Sequence, residues 1–598
     1  MSLVPQQKPS QSPTTPVSTN RRTTTIVIGV MLILGSMLGL EIYSSLQESQ
    51  TIDEAVHLAA GFSYWKTGDF RINPEHPPLG KLLTAFPLLF TDARIPTEHP
   101  SWNEVNQWKF GEIFLYENTL SPDTLLLLGR LPVMLLSIGL GILIFMASRS
   151  IFGTAGGFLS LGLYAFDPNI IAHSRYITTD LSFSVAAFFV LLRFVSLIKT
   201  PSRKNAIWFS IALLIACLTK FSFLAFAVAL VIAALVLKIR DRRHPALQLK
   251  KIGKALLIGI PISLLLVWAL YGFDIRRPAD DPRIAQLYVQ RENAIANNLF
   301  NKDSALERFV IYDLGDRSKG IGKKADELAR HAYPMYTFFR GAINVIGHSM
   351  SGQTSFLMGD VRDRGWWWYF PAAFGFKTPI PTLIAFGMTT ILLVSWIIQR
   401  RPIDRRWIIF GLPPLLFFLL SFTSHLNLGW RHIMPIYPPL FVLAGSITTL
   451  RIRRARLTSY FIVTLFVGIS AFTAFHIFPN YLGYFNEFAG DRGTNYKILR
   501  DSNLDWGQDL PKLRTYVNEN NIAPLYVAYY GAARVESYIP GSLPLPTTDE
   551  IQTAGIPSGY IAISGERLYS LDDSYTWLQT KTPIDRLGST LFIYRLTP

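Results

Sequence analysis

The 598-residue chain is 49% hydrophobic and only 16% charged, with a mean hydropathy of +0.26, whereas soluble globular proteins average about 25% charged residues. Its formal net charge is +16, but the basic residues cluster in short loops between apolar runs, and no zinc-finger spacing or recognition-helix pattern accompanies them; this pattern belongs to a membrane protein and excludes nucleic acid as a partner. The single cysteine, Cys217, excludes an intramolecular disulfide and a thiolate metal cluster.

In chain order, residues 1–22 are rich in Ser, Thr, Pro and Gln and predict a disordered cytoplasmic tail. Arg21 and Arg22 precede an apolar run from Thr23 to Ser44, too long for a signal peptide core and predicted to be the first span. Further spans are expected at Thr124–Ala147, Phe152–Phe166, Leu181–Ile198, Ala206–Leu218 and Phe221–Leu237. Others follow at Ala255–Phe273, Thr382–Ile398, Trp407–Phe422, Ile433–Leu450 and Phe461–Phe478, about eleven in all. Alternating sides puts Arg149, Lys199 to Lys204, Lys238 to Lys254, Arg400 to Arg406 and Arg451 to Arg456 inside, as the positive-inside rule requires. A transmembrane unit over 23–478 therefore carries outer loops at 45–122, 167–180 and 274–377.

After the last span the pattern changes. Gly507 to Asn518 has helical spacing, and Leu525–Tyr530, Tyr560–Ile563 and Thr590–Tyr594 read as buried strands rich in β-branched and aromatic residues. Residues 479–598 are expected to form a small extracytoplasmic α/β domain.

The outer loops hold the residues suited to chemistry. The first contains Asp53 and Glu54, His57 four residues on and on the same helical face, Gly68-Asp69, and then His76-Pro77-Pro78-Leu79-Gly80-Lys81, whose proline pair ends the helix. Asp180 begins a span, where Thr179 or Asp180 would also serve as a cap. Lys81 and Lys220 stand at interfaces, where lysines also snorkel to headgroups. Lys220, alone between two apolar runs, is functional by default. Trp366-Trp367-Trp368-Tyr369 reads as an interfacial aromatic belt or as a stacking surface for a sugar or isoprenoid.

The first outer loop resembles that of the protein O-mannosyltransferases and their bacterial relatives, glycosyltransferase family 39. Further similarity lies in Gly129-Arg130-Leu131-Pro132, in His173 to Asp180, in Thr219-Lys220-Phe221-Ser222, in Phe356 to Gly359 and in Gly365 to Pro371. It continues through Lys377-Thr378-Pro379, Ser424 to Pro435 and Asp501 to Gln508, so that roughly residues 24 to 515 are covered. The large loop lacks the trefoil-like carbohydrate-binding insert of the eukaryotic members.

The resemblance implies an α-helical polytopic C-type glycosyltransferase fold in the plasma (inner) membrane, N-terminus cytoplasmic. It also implies a polyprenyl-phosphate-linked sugar as donor and a protein, lipid or glycan as acceptor. Asp53 would be the general base, with Glu54 supporting it or contacting the acceptor and Asp180 a second active-site carboxylate. Lys81, Arg130, Lys220 and Arg431 would stabilise the leaving phosphate, with His76 and His173 nearby. Asp53, His76, His173 and Asp180 are the candidate ligands should a divalent metal be used. Two other readings are a flippase for the same lipid-linked sugar and a non-catalytic scaffold. Transporters place their polar groups near the bilayer midplane, whereas these residues crowd the outer interface.

Overall fold

The computed structural model describes residues 17–240, 261–281, 320–450, 455–569, 574–588 and 590–596. The expected inner loop from 241, the start of the 255–273 span, loop residues 282–319 and Arg451 to Arg454 lie outside the described residues. So does the tail up to residue 16. Residues 17–22 differ from the expected tail: the first helix already begins at Val17 and runs to Ser45.

Among the described residues, six helices are long and apolar enough to cross a membrane: Thr23–Ser45, Pro122–Ala165, Thr179–Lys199, Phe223–Arg240, Ile380–Ile398 and Thr458–Ile477. Their outer faces carry exposed apolar side chains such as Met31, Leu32, Ile391 and Phe472, while Leu140, Leu161, Phe188 and Phe441 are fully enclosed. A chain whose helices expose this much apolar surface is matched to lipid, and the protein is a multi-pass membrane protein.

Local chemistry sets the helix ends. Ser121 caps the Pro122–Ala165 helix by accepting from the Thr124 amide, with Pro122 in the first turn. The break between two spans, expected between Ala147 and Phe152, falls instead at Gly153, just inside the second expected span, where a φ of 81° and ψ of −176° suit glycine almost alone. The Arg203–Thr219 helix stops at Lys220, which is extended at φ −159°, and the next helix starts at Phe223. That short break keeps Lys220 out of both helices.

One expected span takes another form. Residues 433–450 are not a continuous α-helix: a 3-10 turn over Trp430–Ile436 leads into a short α-helix at Tyr437–Ala444 and a second 3-10 turn at Gly445–Thr449. Pro435 lies inside the first 3-10 turn and removes an amide donor there, while Pro438 and Pro439 sit in the first turn of the short α-helix, where proline is tolerated. The segment is almost entirely buried, packed against the Pro122–Ala165 helix as an internal core element.

At the C-terminal end five strands form one mixed sheet, ordered Leu543–Pro544, Leu525–Ala528, Gly559–Ser564, Leu591–Leu596 and Asp585–Leu587. The first three are parallel and the remaining pairings antiparallel. Strands thus lie on each of the three runs with strand character in the sequence. The Leu510–Asn520 helix precedes them, ending on Asn521 in the left-handed conformation.

Candidate active site

The chain leaving the first helix is laid along the Asp501–Gln508 segment. The Ser49 and Ile52 amides donate to the Gln508 and Trp506 carbonyls at 3.0 and 3.2 Å, and the Ser49 hydroxyl donates to the Gly507 carbonyl. This delivers Asp53 to the start of the Glu54–Thr67 helix. Asp53 occupies the N-cap position but makes no side-chain cap bond, so its carboxylate is available for other partners.

Glu54 is the junction of the local fold. One carboxylate oxygen accepts from the Thr51 amide (2.8 Å) and from Arg130 (2.6 Å); the other accepts from Arg130 Nε (2.8 Å) and from the Ile177 amide (3.0 Å). Arg130 also donates to the Ser45 and Ser49 carbonyls. Three separate segments are thereby tied together: the first loop, the Arg130 helix, and the loop that leads to Asp180. Close by, Arg175 is ion-paired with Glu48, whose carboxylate also accepts from the Tyr176 hydroxyl.

These ties bring four charged groups into one row. Asp53 pairs with Arg431 Nη1 at 3.0 Å, the same nitrogen reaches Asp180 at 3.4 Å, and the other Asp180 oxygen pairs with Lys220. Exposure is highest at Asp53, whose side chain is 23% exposed, falls through Arg431 at 11% to Asp180 at 2%, and rises again to 13% at Lys220. Asp53 is therefore the member most open to an arriving molecule. Arg431 is aimed by Gly429 (φ 156°) and by two further contacts. Its Nε donates to the Ser502 hydroxyl at 3.1 Å, and its guanidinium lies 4.2 Å from the centre of the Trp506 ring. Burial opposes its charge, yet Asp53 and Asp180 outweigh that cost and hold it protonated.

Neutral imidazoles line the row. His57 contacts the Ile177 carbonyl through Nδ1 and meets the His76 ring edge-on at 5.2 Å. His173 stacks on Trp430 at 5.8 Å, and His432 on Phe370. Burial lowers the pKa of all four, that of His173 to about 3.

Several of the expected site residues have protein partners. Arg130 is 2% exposed and engaged by Glu54 and backbone carbonyls. Glu54 is enclosed with it. Lys81 is equally committed, its ammonium donating to the Tyr64 hydroxyl, to the Asn73 carbonyl and side chain, and to the His76 carbonyl. The candidate metal ligands do not converge. Among the described residues no group of three or more His, Cys, Asp or Glu side chains is arranged to hold a metal ion, and Asp53 and Asp180 already face cations. In the tryptophan run, Trp367 is exposed while Trp366 and Tyr369 are buried; the Tyr369 hydroxyl accepts from Asn503.

Sequence reading gave no roles to Ser502 and Trp506, which position Arg431. Their signal was the dense polar run Asp501 to Gln508.

A predominantly helical multi-pass membrane unit with a charged cluster at its helix ends defines the class. Residues 125–268 match the family model described as dolichyl-phosphate-mannose-protein mannosyltransferase, so the similarity to glycosyltransferase family 39 is met independently over a stretch that holds Arg130, His173, Asp180 and Lys220. No curated protein matches the chain. Among solved structures, ArnT from Cupriavidus metallidurans bound to undecaprenyl phosphate is 14% identical, with a TM-score of 0.46, covering 94% of this chain and 97% of that one. The apo form of the same protein is 15% identical with a TM-score of 0.47, covering 96% and 98%.

Proposed function

We propose that the protein transfers a sugar from a polyprenyl-phosphate carrier to an acceptor hydroxyl at the outer face of the plasma membrane, with Asp53 as general base. The observation that carries this reading is the row Asp53–Arg431–Asp180–Lys220, with a carboxylate at its most exposed position and the second carboxylate, Asp180, held between two cations. The mannosyltransferase family match supports the donor class.

In this reading Arg431 and Lys220 receive the carrier phosphate. Arg431 suits two-pronged phosphate contact and Lys220 acts as a point charge. The incoming phosphate competes with Asp53 for Arg431, which frees the Asp53 carboxylate as the donor seats. Asp53 then takes the proton from the acceptor hydroxyl, the acceptor oxygen bonds to the anomeric carbon, and the carbon–oxygen bond to phosphate breaks, its electron pair leaving with the phosphate. Single displacement inverts the anomeric centre. Asp180 holds both cations in place, and the neutral histidines supply packing and hydrogen bonding without adding charge.

The test is a reconstituted one. Protein in liposomes, given a polyprenyl-phosphate sugar and a membrane extract, should place the sugar on an acceptor with the anomeric configuration inverted. Movement of the intact lipid-linked sugar across the bilayer with no change in its linkage would replace this reading with a flippase. Retained configuration would remove the single-displacement mechanism.

A further inference from the structure

Beside the charged row lies a separate cavity of about 300 Å³, lined by Phe356, Tyr369, Asp501, Tyr530, Glu566 and Tyr569 among others. Its position follows from the sheet. Leu525–Ala528 and Gly559–Ser564 are adjacent parallel strands, and Tyr530 and Glu566 come just past their carboxyl ends. From the first strand the chain turns to Leu543–Pro544 on one side; from the second it continues to Leu591–Leu596 on the other. Loops that diverge from neighbouring parallel strands leave a crevice at their carboxyl ends, the general place for a ligand in an open α/β sheet. The Tyr530 amide donates to the Ser564 hydroxyl at 2.8 Å, which pins the two ends together.

The opposite wall comes from the membrane unit. A hairpin pairs Ser355–Leu357 with Asp360–Arg362, and Leu357 bridges to Leu499. Arg500 lies 3.5 Å from the centre of the Phe356 ring and donates to the Tyr569 carbonyl. Asp501 joins the cavity to the charged row. It is held at a φ of 56°, uncommon for a residue with a side chain, and accepts from the Tyr530 hydroxyl at 3.2 Å. Its amide donates to Glu566 at 2.5 Å. The next residue, Ser502, already touches Arg431.

We infer that this cavity binds the saccharide end of the acceptor, so that the acceptor of the reaction proposed above is a glycan. The inference rests on that reading for the word acceptor. The chemistry of the lining carries the rest. Asp501, Glu566, Arg500 and Arg567 all line the cavity, so both donors and acceptors of hydrogen bonds meet the ligand. Carboxyl and phenol groups accept from and donate to several hydroxyls at once, and aromatic rings present apolar faces to a sugar ring. The volume is at the small end of the range for ligand pockets, roughly 300–1,000 Å³, which suits a terminal sugar more than an extended chain. Burial raises the pKa of both carboxyls, that of Glu566 to about 7, so Glu566 is partly protonated near neutrality and can donate as well as accept.

The test uses the full-length protein in lipid nanodiscs, with methyl hexosides and a short disaccharide as probes. Binding is read by saturation-transfer NMR without donor present. Wild type should bind the saccharides, and Glu566→Gln and Tyr530→Phe should each weaken binding by about ten-fold. Binding of polyprenyl phosphate in the same samples should stay unchanged, which shows that the variants are folded. Saccharide binding unaltered in both variants, or no saccharide binding while a Ser/Thr peptide binds in a Glu566-dependent way, would overturn the inference. Absence of any sugar transfer by wild type would defeat the proposed reaction instead, leaving the binding result to decide what the cavity holds.

Discussion

Glu54 and Asp53 are neighbours with opposite fates. Glu54 and Arg130 are sealed from solvent and satisfy one another, whereas Asp53 stands at the open end of a row of charges. Removing one member of a buried pair leaves the other uncompensated, at a cost of roughly 3–5 kcal/mol, while replacing both by apolar groups is often close to neutral. Glu54→Gln should therefore lower thermal stability in detergent by that order, and Glu54→Gln combined with Arg130→Met should recover much of it. Unchanged stability in the single variant, with a changed acceptor KM, would return Glu54 to the binding site. Sequence could place both residues at the right end of the fold but could not separate their roles. Burial of one carboxylate and exposure of its neighbour depend on where the Ile177 amide and Arg130 arrive, over a hundred and over seventy residues away in the chain.

Among the elements, the runs of apolar residues announced most helices because a span needs little besides length and hydropathy. The break at Lys220 was visible as a charge between two apolar runs, and the strands of the C-terminal sheet as short β-branched and aromatic runs. The Trp430–Thr449 segment differs in form because hydropathy is blind to proline spacing. It is apolar enough for a span, but it is built as a 3-10 turn, a short α-helix and a second 3-10 turn, buried among other helices. The kink at Gly153 offers a clean test of an element boundary. A Cβ there would meet nothing within 4 Å, so Gly153→Ala is governed by backbone strain alone. It should destabilise by about 1–3 kcal/mol, measured by thermal unfolding, with donor binding retained. No loss of stability would mean that the two helices are joined differently at this point.

Across the whole molecule, polar groups are concentrated where the helix ends meet the C-terminal sheet, and burial there leaves a pH signature. His173 has a folded-state pKa of about 3, depressed by burial from an ordinary value of 6.5. In the window between those values the unfolded chain binds the proton that the folded one refuses, so stability falls as pH falls. The stability of wild type relative to His173→Phe should be greatest above pH 6.5, decline below it and level off near pH 3. A pH-independent difference would mean that the ring is not buried as described.

At this scale Asp53 in the first loop, Asp180 and Lys220, which the sequence singled out because ionisable groups at span ends stand out against apolar flanks, are brought together with Arg431 into one row. Lys81, Arg130 and Arg431 look alike in one dimension. Only the fold shows that the first two are already occupied.

The central claim is that Asp53 acts as a base in carrier-dependent sugar transfer. It is tested most directly by single-turnover transfer from a labelled polyprenyl-phosphate sugar in proteoliposomes, wild type against Asp53→Asn, with donor binding measured in parallel. The account predicts that the variant binds donor at least as well as wild type, because Arg431 is released from its carboxylate partner, yet transfers sugar more slowly by about 100-fold or more. Equal transfer rates in the two proteins, with equal donor occupancy, would contradict it.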